Sequence, residues 1–282
     1  MRIDVIFSNN FDSFQKHIDI SNCICGVIDV IRATTTMSVL LAKKCKEIII
    51  SKSKSRSFFY KKIFKDYLIC GEEQGWPPKG FDYGNSPIEF MKLPIGNKGI
   101  ILKTTNGTKS FFKTLNSKGA FVVSLINIRY ACEVILKEAL DKNCNILLIC
   151  SGEKGKISYD DTYTAGMAVK ILIEELNCKF EISDSAKVAL AVANFEKDPS
   201  IALKRSSSYY SMLKVGLGPD VDLCSKLSIF EVTGKLFKYN NEKEIEFLIN
   251  NNQEINSSKI SIKKSNIKNI SDYFPIYCIR IV

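Results

Sequence analysis

Histidine is almost missing from this chain: a single one, His17, in 282 residues. A Ser-His-Asp or Cys-His nucleophile, or a multi-histidine metal centre, would have to be built on that residue. It stands in the polar stretch Asp12–Asp19, where a lone surface histidine seldom carries chemistry. No uncharged apolar run approaches the ~18 residues that a membrane-spanning helix needs. No C-x-x-C pair occurs among the ten cysteines. Cys23, Cys25, Cys70, Cys144 and Cys150 lie in or beside apolar, strand-like runs, which reads as buried free thiols in a reducing compartment. Met1-Arg2-Ile3-Asp4-Val5 puts an acid where a signal peptide is apolar, so a cytoplasmic protein is expected. Phosphate-handling signatures are absent too. Gly152-x-x-Gly155-Lys156 is not a Walker A loop, which has four residues between its glycines. Asp29 is followed by Val30 and Ile31, not by a second acid and a threonine. Cys25 and Arg32 are separated by six residues and so do not form a C-x5-R loop.

What is present is an ordinary globular composition, 45% hydrophobic and 25% charged, with 40 basic against 30 acidic residues for a net charge of +10. The excess is densest at Lys52, Lys54, Arg56, Lys61, Lys62 and Lys65, interleaved with Phe58, Phe59, Tyr60 and Phe64. Basic plus aromatic could contact nucleic acid by phosphate pairing and stacking. A helix that buries Phe59 and Ile63 and solvates its lysines explains the same residues, and we favour it.

Strand-like runs at Ile3–Phe7, Ile24–Val30, Glu47–Ile50, Tyr67–Cys70, Gly99–Lys103, Ala120–Leu125 and Asn145–Cys150 alternate with helix-period segments. The latter are Thr35–Lys44, Ser55–Phe64, Thr108–Leu115, Ile128–Asp141, Asp161–Leu176 and Ser183–Phe195. This order predicts an α/β fold, three layers α/β/α, with a largely parallel or mixed sheet. Residues 1–238 would form one domain. Residues 239–282 would be a polar Asn- and Lys-rich extension, with a strand-like end at Tyr277–Val282 that could return to the sheet.

Four loops stand out. Asp29 closes a buried strand ahead of Arg32, Thr34, Thr35 and Thr36, which open a helix; helix N-termini and an arginine fork suit a phosphate or sulfonate. The turn-rich stretch Gly71–Pro87 holds four glycines, three prolines and the only tryptophan. It brings Glu72, Glu73 and Asp82, then Asn85-Ser86-Pro87 opening a helix. Thr105-Asn106-Gly107-Thr108 is a strand-to-helix loop whose Asn-Gly step permits positive φ. Ser151-Gly152 leads to Asp160-Asp161 at the start of the next helix. Six carboxylates with few nitrogen or sulfur ligands point to Mg²⁺, and threonine-rich helix openings to phosphate. Metal-assisted hydrolysis without a cysteine or histidine nucleophile is the chemistry left.

The same stretches resemble the 2-phosphosulfolactate phosphatase family. They are Val27–Thr36, Gly71-Glu72 with Gly80–Pro87, Thr104–Thr108, and Ser151-Gly152 with Asp160-Asp161 and Ala165-Gly166. Glu73 stands where that family tends to have Arg, and Asp160 where it has Glu. The resemblance implies Mg²⁺-dependent hydrolysis of (R)-2-phospho-3-sulfolactate to 3-sulfolactate and phosphate, a step towards coenzyme M. We expect Asp29, Glu72 and Asp161 to be catalytic and, with Asp82, to hold Mg²⁺. Arg32, Thr34, Thr35, Thr36, Asn85, Ser86, Thr105, Asn106, Gly107, Thr108, Ser151 and Gly152 are expected to bind the substrate. The expected partner is a small phosphate ester, not nucleic acid or membrane; a homo-oligomer is compatible with the sequence. The alternatives are a Mg²⁺ phosphatase acting on another small ester, and a non-catalytic anion or nucleic-acid binder. The latter gains nothing from six carboxylates, which repel an anion unless a metal intervenes.

Overall fold

The structure, a computed structural model, describes residues 1–10, 18–239 and 275–282. In chain order the strands are β1 (Arg2–Ile6), β2 (Cys23–Ile28), β3 (Glu47–Ile50), β4 (Leu68–Gly71), β5 (Gly99–Lys103), β6 (Gly119–Val123), β7 (Asn145–Cys150), β8 (Glu181–Ile182), β9 (Gly234–Lys238) and β10 (Tyr277–Ile281). The helices are α1 (Ala33–Ala42), α2 (Lys54–Ile63), α3 (Pro87–Lys92), α4 (Gly107–Lys113), α5 (Ile128–Asp141), α6 (Tyr159–Lys170), α7 (Asp184–Phe195), α8 (Pro199–Lys204), α9 (Ser207–Lys214) and α10 (Gly218–Cys224). A π-helical turn, Ile171–Glu175, continues α6.

The strands form one ten-stranded mixed sheet in the order β4-β5-β3-β10-β9-β6-β2-β7-β1-β8, with helices packed around it as an α/β/α architecture. Two parallel blocks, β4-β5-β3 and β6-β2-β7-β1-β8, are joined by the antiparallel pair β9 and β10. Alternation along each strand sorts the side chains by face. Ile24, Ile28, Ile146, Leu148, Phe121 and Val123 pack beneath α5, α6 and α7. Cys25, Val27, Leu147, Ile149 and Val122 meet Met37, Leu40 and Leu41 of α1 and Phe111 of α4. Ile48, Ile50, Ile100 and Leu102 from the other parallel block join that second cluster, so both blocks share the α1 and α4 layer. The outer face of β3 and β5 is closed by Tyr60 and Ile63 of α2.

The strand-like end at Tyr277–Val282 does return to the sheet. It lies inside it, between β3 and β9, with Cys278 and Ile279 fully buried. The rest of the polar extension, 240–274, lies outside the described residues, as does His17. In the basic segment the buried face of α2 is Ser57, Tyr60 and Ile63; Phe59 only packs at its edge. All ten cysteines are free and all but Cys178 are buried. Among the described residues no helix is long and apolar enough to cross a membrane.

Candidate active site

The loops that follow β2, β4, β5 and β7 converge on a cleft of about 380 Å³, which α9 borders from a fifth direction. β2 ends at Ile28, one residue before Asp29, so the carboxyl starts the loop instead of finishing the strand. Asp29 Oδ1 accepts the Ala33 N–H at 3.3 Å, while the Asp29 N–H donates to Thr34 Oγ1 at 3.1 Å. Gly107 lies flat against this carboxyl: a Cβ there would come within 2.9 Å of Asp29 Oδ2 and 2.7 Å of the Ala33 Cβ. The Asn-Gly step therefore serves a close approach, since the bare backbone brings its N–H to Asp29.

Asp161 spans two loops, with Oδ1 accepting from Val30 N and Oδ2 from Gly152 N, both at 2.9 Å. Asp160 accepts from the hydroxyls of Ser158 and Ser208, the latter on α9. Burial pushes the Asp29 carboxyl up to about 7; the Ala33 N–H opposes this, and the charges of Glu72 and Asp160 add to it. Burial likewise raises Asp160 to about 6 against its serine donors. Asp161 is held well above the carboxylate range by burial and then by Asp160 and Asp29. Among the described residues none of the three forms an ion pair with a lysine or arginine.

The structure brings together Asp29, Glu72, Asp161, Arg32, Asn85, Thr105, Asn106 and Gly152 of the expected site, all in the cleft wall. Glu72 is committed to the backbone: Oε1 accepts the Thr105 N–H at 2.6 Å and Oε2 the Gly75 N–H at 3.1 Å. The remaining expected residues stand behind the wall. Asp82 accepts the Ile69 N–H at 2.8 Å and faces Lys61, pinning the edge of β4 away from the other acids. Thr34, Thr35 and Thr36 are buried in α1, and their hydroxyls answer Asp29 N, Val30 O and Asn85 O. Ser86 caps α3 and donates to Asp220 at 2.6 Å, Thr108 bonds Thr104, and Ser151 pairs with Ser110 at 2.7 Å. Each serves the scaffold: none of them lines the cleft, and each side chain is bonded to the residues that hold the loops in place.

Arg32 lines the cleft, yet its fork is engaged. Nη1 meets Asp220 Oδ2 at 2.7 Å, with both side chains 3% exposed, and Nη2 donates to Gly75 O at 3.1 Å. Glu73, where the resembled family tends to carry a cation, instead pairs with Lys103 at 3.1 Å. Sequence reasoning did not place Ser158, Ser208, Ser211, Met212 or Lys154 in the wall, nor Asp220 behind it. The serines of α9 bear no local mark of function, because the contact with the β7–α6 loop is made only in three dimensions. The expected ligand set Asp29, Glu72, Asp82 and Asp161 is not a preformed cage: among the described residues no three acids, thiols or imidazoles are close enough to hold an ion alone.

Comparison with known proteins gives the chain a family. The profile of 2-phosphosulpholactate phosphatase matches residues 10–238, a span that contains every residue of the cleft wall. The chain belongs to the 2-phosphosulpholactate phosphatase family. The family is one of phosphoric monoester hydrolases, and the cleft is accordingly that of an enzyme. Among its relatives, the probable 2-phosphosulfolactate phosphatase of Clostridium beijerinckii is 31% identical over 82% of this chain and 95% of its own length. Those of Carboxydothermus hydrogenoformans and Pseudothermotoga lettingae are each 33% identical over 82% of the chain, and over 92% and 93% of their own lengths. The family match stops at Lys238, so β10, which completes the middle of the sheet, lies beyond it.

Proposed function

We propose that this cleft hydrolyses 2-phospho-3-sulfolactate to 3-sulfolactate and inorganic phosphate with the aid of Mg²⁺. The observation that carries the reading is the gathering of Asp29, Asp160 and Asp161, all buried, in one wall, where among the described residues no lysine or arginine pairs with any of them. Acids driven together like this are stable only protonated or around a cation. Mg²⁺ fits such a place better than a full protein cage does, because it keeps several waters and binds through one or two carboxylates plus substrate phosphate. Asn85 Oδ1, buried in the same wall without a partner, supports a donor arriving from outside, such as a bound water.

Asp160, whose serine bonds fall on Oδ1 alone, and Asp29, which faces the cleft, would hold the ion. Bound there, Mg²⁺ would supply Lewis-acid polarisation of the phosphoryl oxygens and a more acidic water. Asp161 locks the β2 and β7 loops at a fixed separation. Asn106 contributes a neutral donor at the wall, while Ser158 and Ser208 hold Asp160 in place.

Phosphate release from phosphosulfolactate, phospholactate and p-nitrophenyl phosphate, with Mg²⁺ and with EDTA, tests the reading. Turnover of phosphosulfolactate should lead the series and stop in EDTA. Full activity in EDTA removes the metal, and equal rates on all three esters remove the sulfonated substrate.

A further inference from the structure

The cleft wall carries five acids, Asp29, Glu72, Glu153, Asp160 and Asp161, against two cations, Arg32 and Lys154. Arg32 is the cation that the sequence recommends as an anion receptor. Its charge, however, is matched at 2.7 Å by the buried Asp220, which Ser86 fixes from the other side at 2.6 Å. A guanidinium paired at this burial offers an approaching anion a nearly neutral dipole. Lys154 differs: it forms no ion pair among the described residues.

Its position is set by its backbone. Glu153 and Lys156 exchange backbone hydrogen bonds at 3.1 and 2.9 Å around a two-residue turn, with Lys154 at φ 52° and Gly155 at φ 77°. A turn with two left-handed residues favours Asn-Gly, so lysine is not the residue that the turn itself selects. The base of the turn is anchored to α9, because Ser207 donates to Glu153 Oε2 at 2.7 Å and Ser211 to Oε1 at 3.5 Å. On the other side it packs on Ser8 and Asn10.

We propose that Lys154 is a specificity-determining residue of the cleft and pairs with the sulfonate of the substrate, an inference that rests on the phosphatase reading above. A sulfonate stays ionised at any working pH and cannot be neutralised by taking up a proton. With its phosphate end directed to Asp29 and Asp160, the sulfonate is repelled by the same acids and is stable only against a free cation. An ammonium is a compact charge with three donors, matching three sulfonate oxygens without the planar geometry that a carboxylate favours.

The test is the ratio of kcat/KM for phosphosulfolactate to that for phospholactate, which lacks the sulfonate, in the full chain with Mg²⁺. In Lys154→Gln this ratio falls about tenfold or more, chiefly through KM for the sulfonated ester. Lys154→Arg restores most of it, and Lys156→Gln, which removes the same charge from the same turn but outside the cleft, leaves the ratio where it was. A structural role for Lys154, or a contact with the phosphate, would lower both esters together; an unchanged ratio in Lys154→Gln, or an equal fall in Lys156→Gln, overturns the assignment. A wild-type protein that does not hydrolyse phosphosulfolactate overturns the functional reading itself, and the assignment with it.

Discussion

Asp29 is the residue on which burial, two backbone donors and two neighbouring acids act at once. Replacing it by asparagine removes a ligand oxygen while keeping the shape. Asp29→Asn should therefore lose activity by roughly two orders of magnitude or more, with no loss of melting temperature. The sign of its pH dependence follows from the raised carboxyl. Unfolded, the group titrates near ~3.9; folded, at about 7. The folded form thus binds the extra proton between these values, and the stability it contributes is complete below the lower one and is lost as pH rises through the upper. In metal-free protein the melting temperature of wild type should fall relative to Asp29→Asn from about pH 4 to 7; parallel curves for the two proteins would contradict it. Arg32 belongs to the same scale. Arg32→Ala leaves Asp220 charged, buried and unpaired, at an expected loss of about 3–5 kcal/mol in chemical denaturation. The double variant with Asp220→Ala should lose less than Arg32→Ala alone, which an additive result would refute. Asp29 and Glu72 were legible because an acid just after an apolar strand is a local pattern, and Asp160 and Asp161 because acids opening a helix are another. Asp220 was not, because its partner is 188 positions away.

Among the elements, those built on long apolar or periodic runs were readable: β3, β5, β7 and α5 have the boundaries their sequences suggest. Three short helices, α8, α9 and α10, escaped. α9 has no buried residue, so no stripe of apolar positions announces it; only the Ser206 cap on the Tyr209 N–H marks its start. The inverse holds for β10. Its polar surroundings argue for a loose tail, yet it pairs with β9 along five residues and with β3 on its other edge. A chain ending at residue 274 would expose both unpaired ladders and the apolar contacts of Cys278 and Ile279. We expect it to be insoluble or to melt at least ~10 °C lower. A soluble truncated protein with an unchanged melt would show the strand to be dispensable.

At the level of the whole molecule, the thiols report on the core. Burial raises every one of the ten cysteine thiols, and only Cys178 is partly open to solvent. Native labelling with a disulfide reagent should modify about one thiol quickly and leave phosphatase activity intact, since the thiolate is the reactive form. Rapid reaction of several thiols in folded protein, or loss of turnover with the first, would place a cysteine at the site.

The sequence by itself determined the α/β class, a largely parallel or mixed sheet, and the four acid-bearing loops that follow its strands. These follow from side-chain periodicity and from which residues directly succeed a strand, and both are properties of neighbouring positions. Only the tertiary structure decided how each polar group is used. Thr36, Ser86 and Ser151 look alike in sequence to residues that face a ligand, and were turned inward by hydrogen bonds to partners in other segments, while Thr34 and Thr35 bond within their own loop. Arg32 lost its free charge to Asp220, and Lys154 kept its own. A hydrogen bond or ion pair depends on which distant segment packs alongside, and that is set by the order of strands in the sheet and not by local propensity.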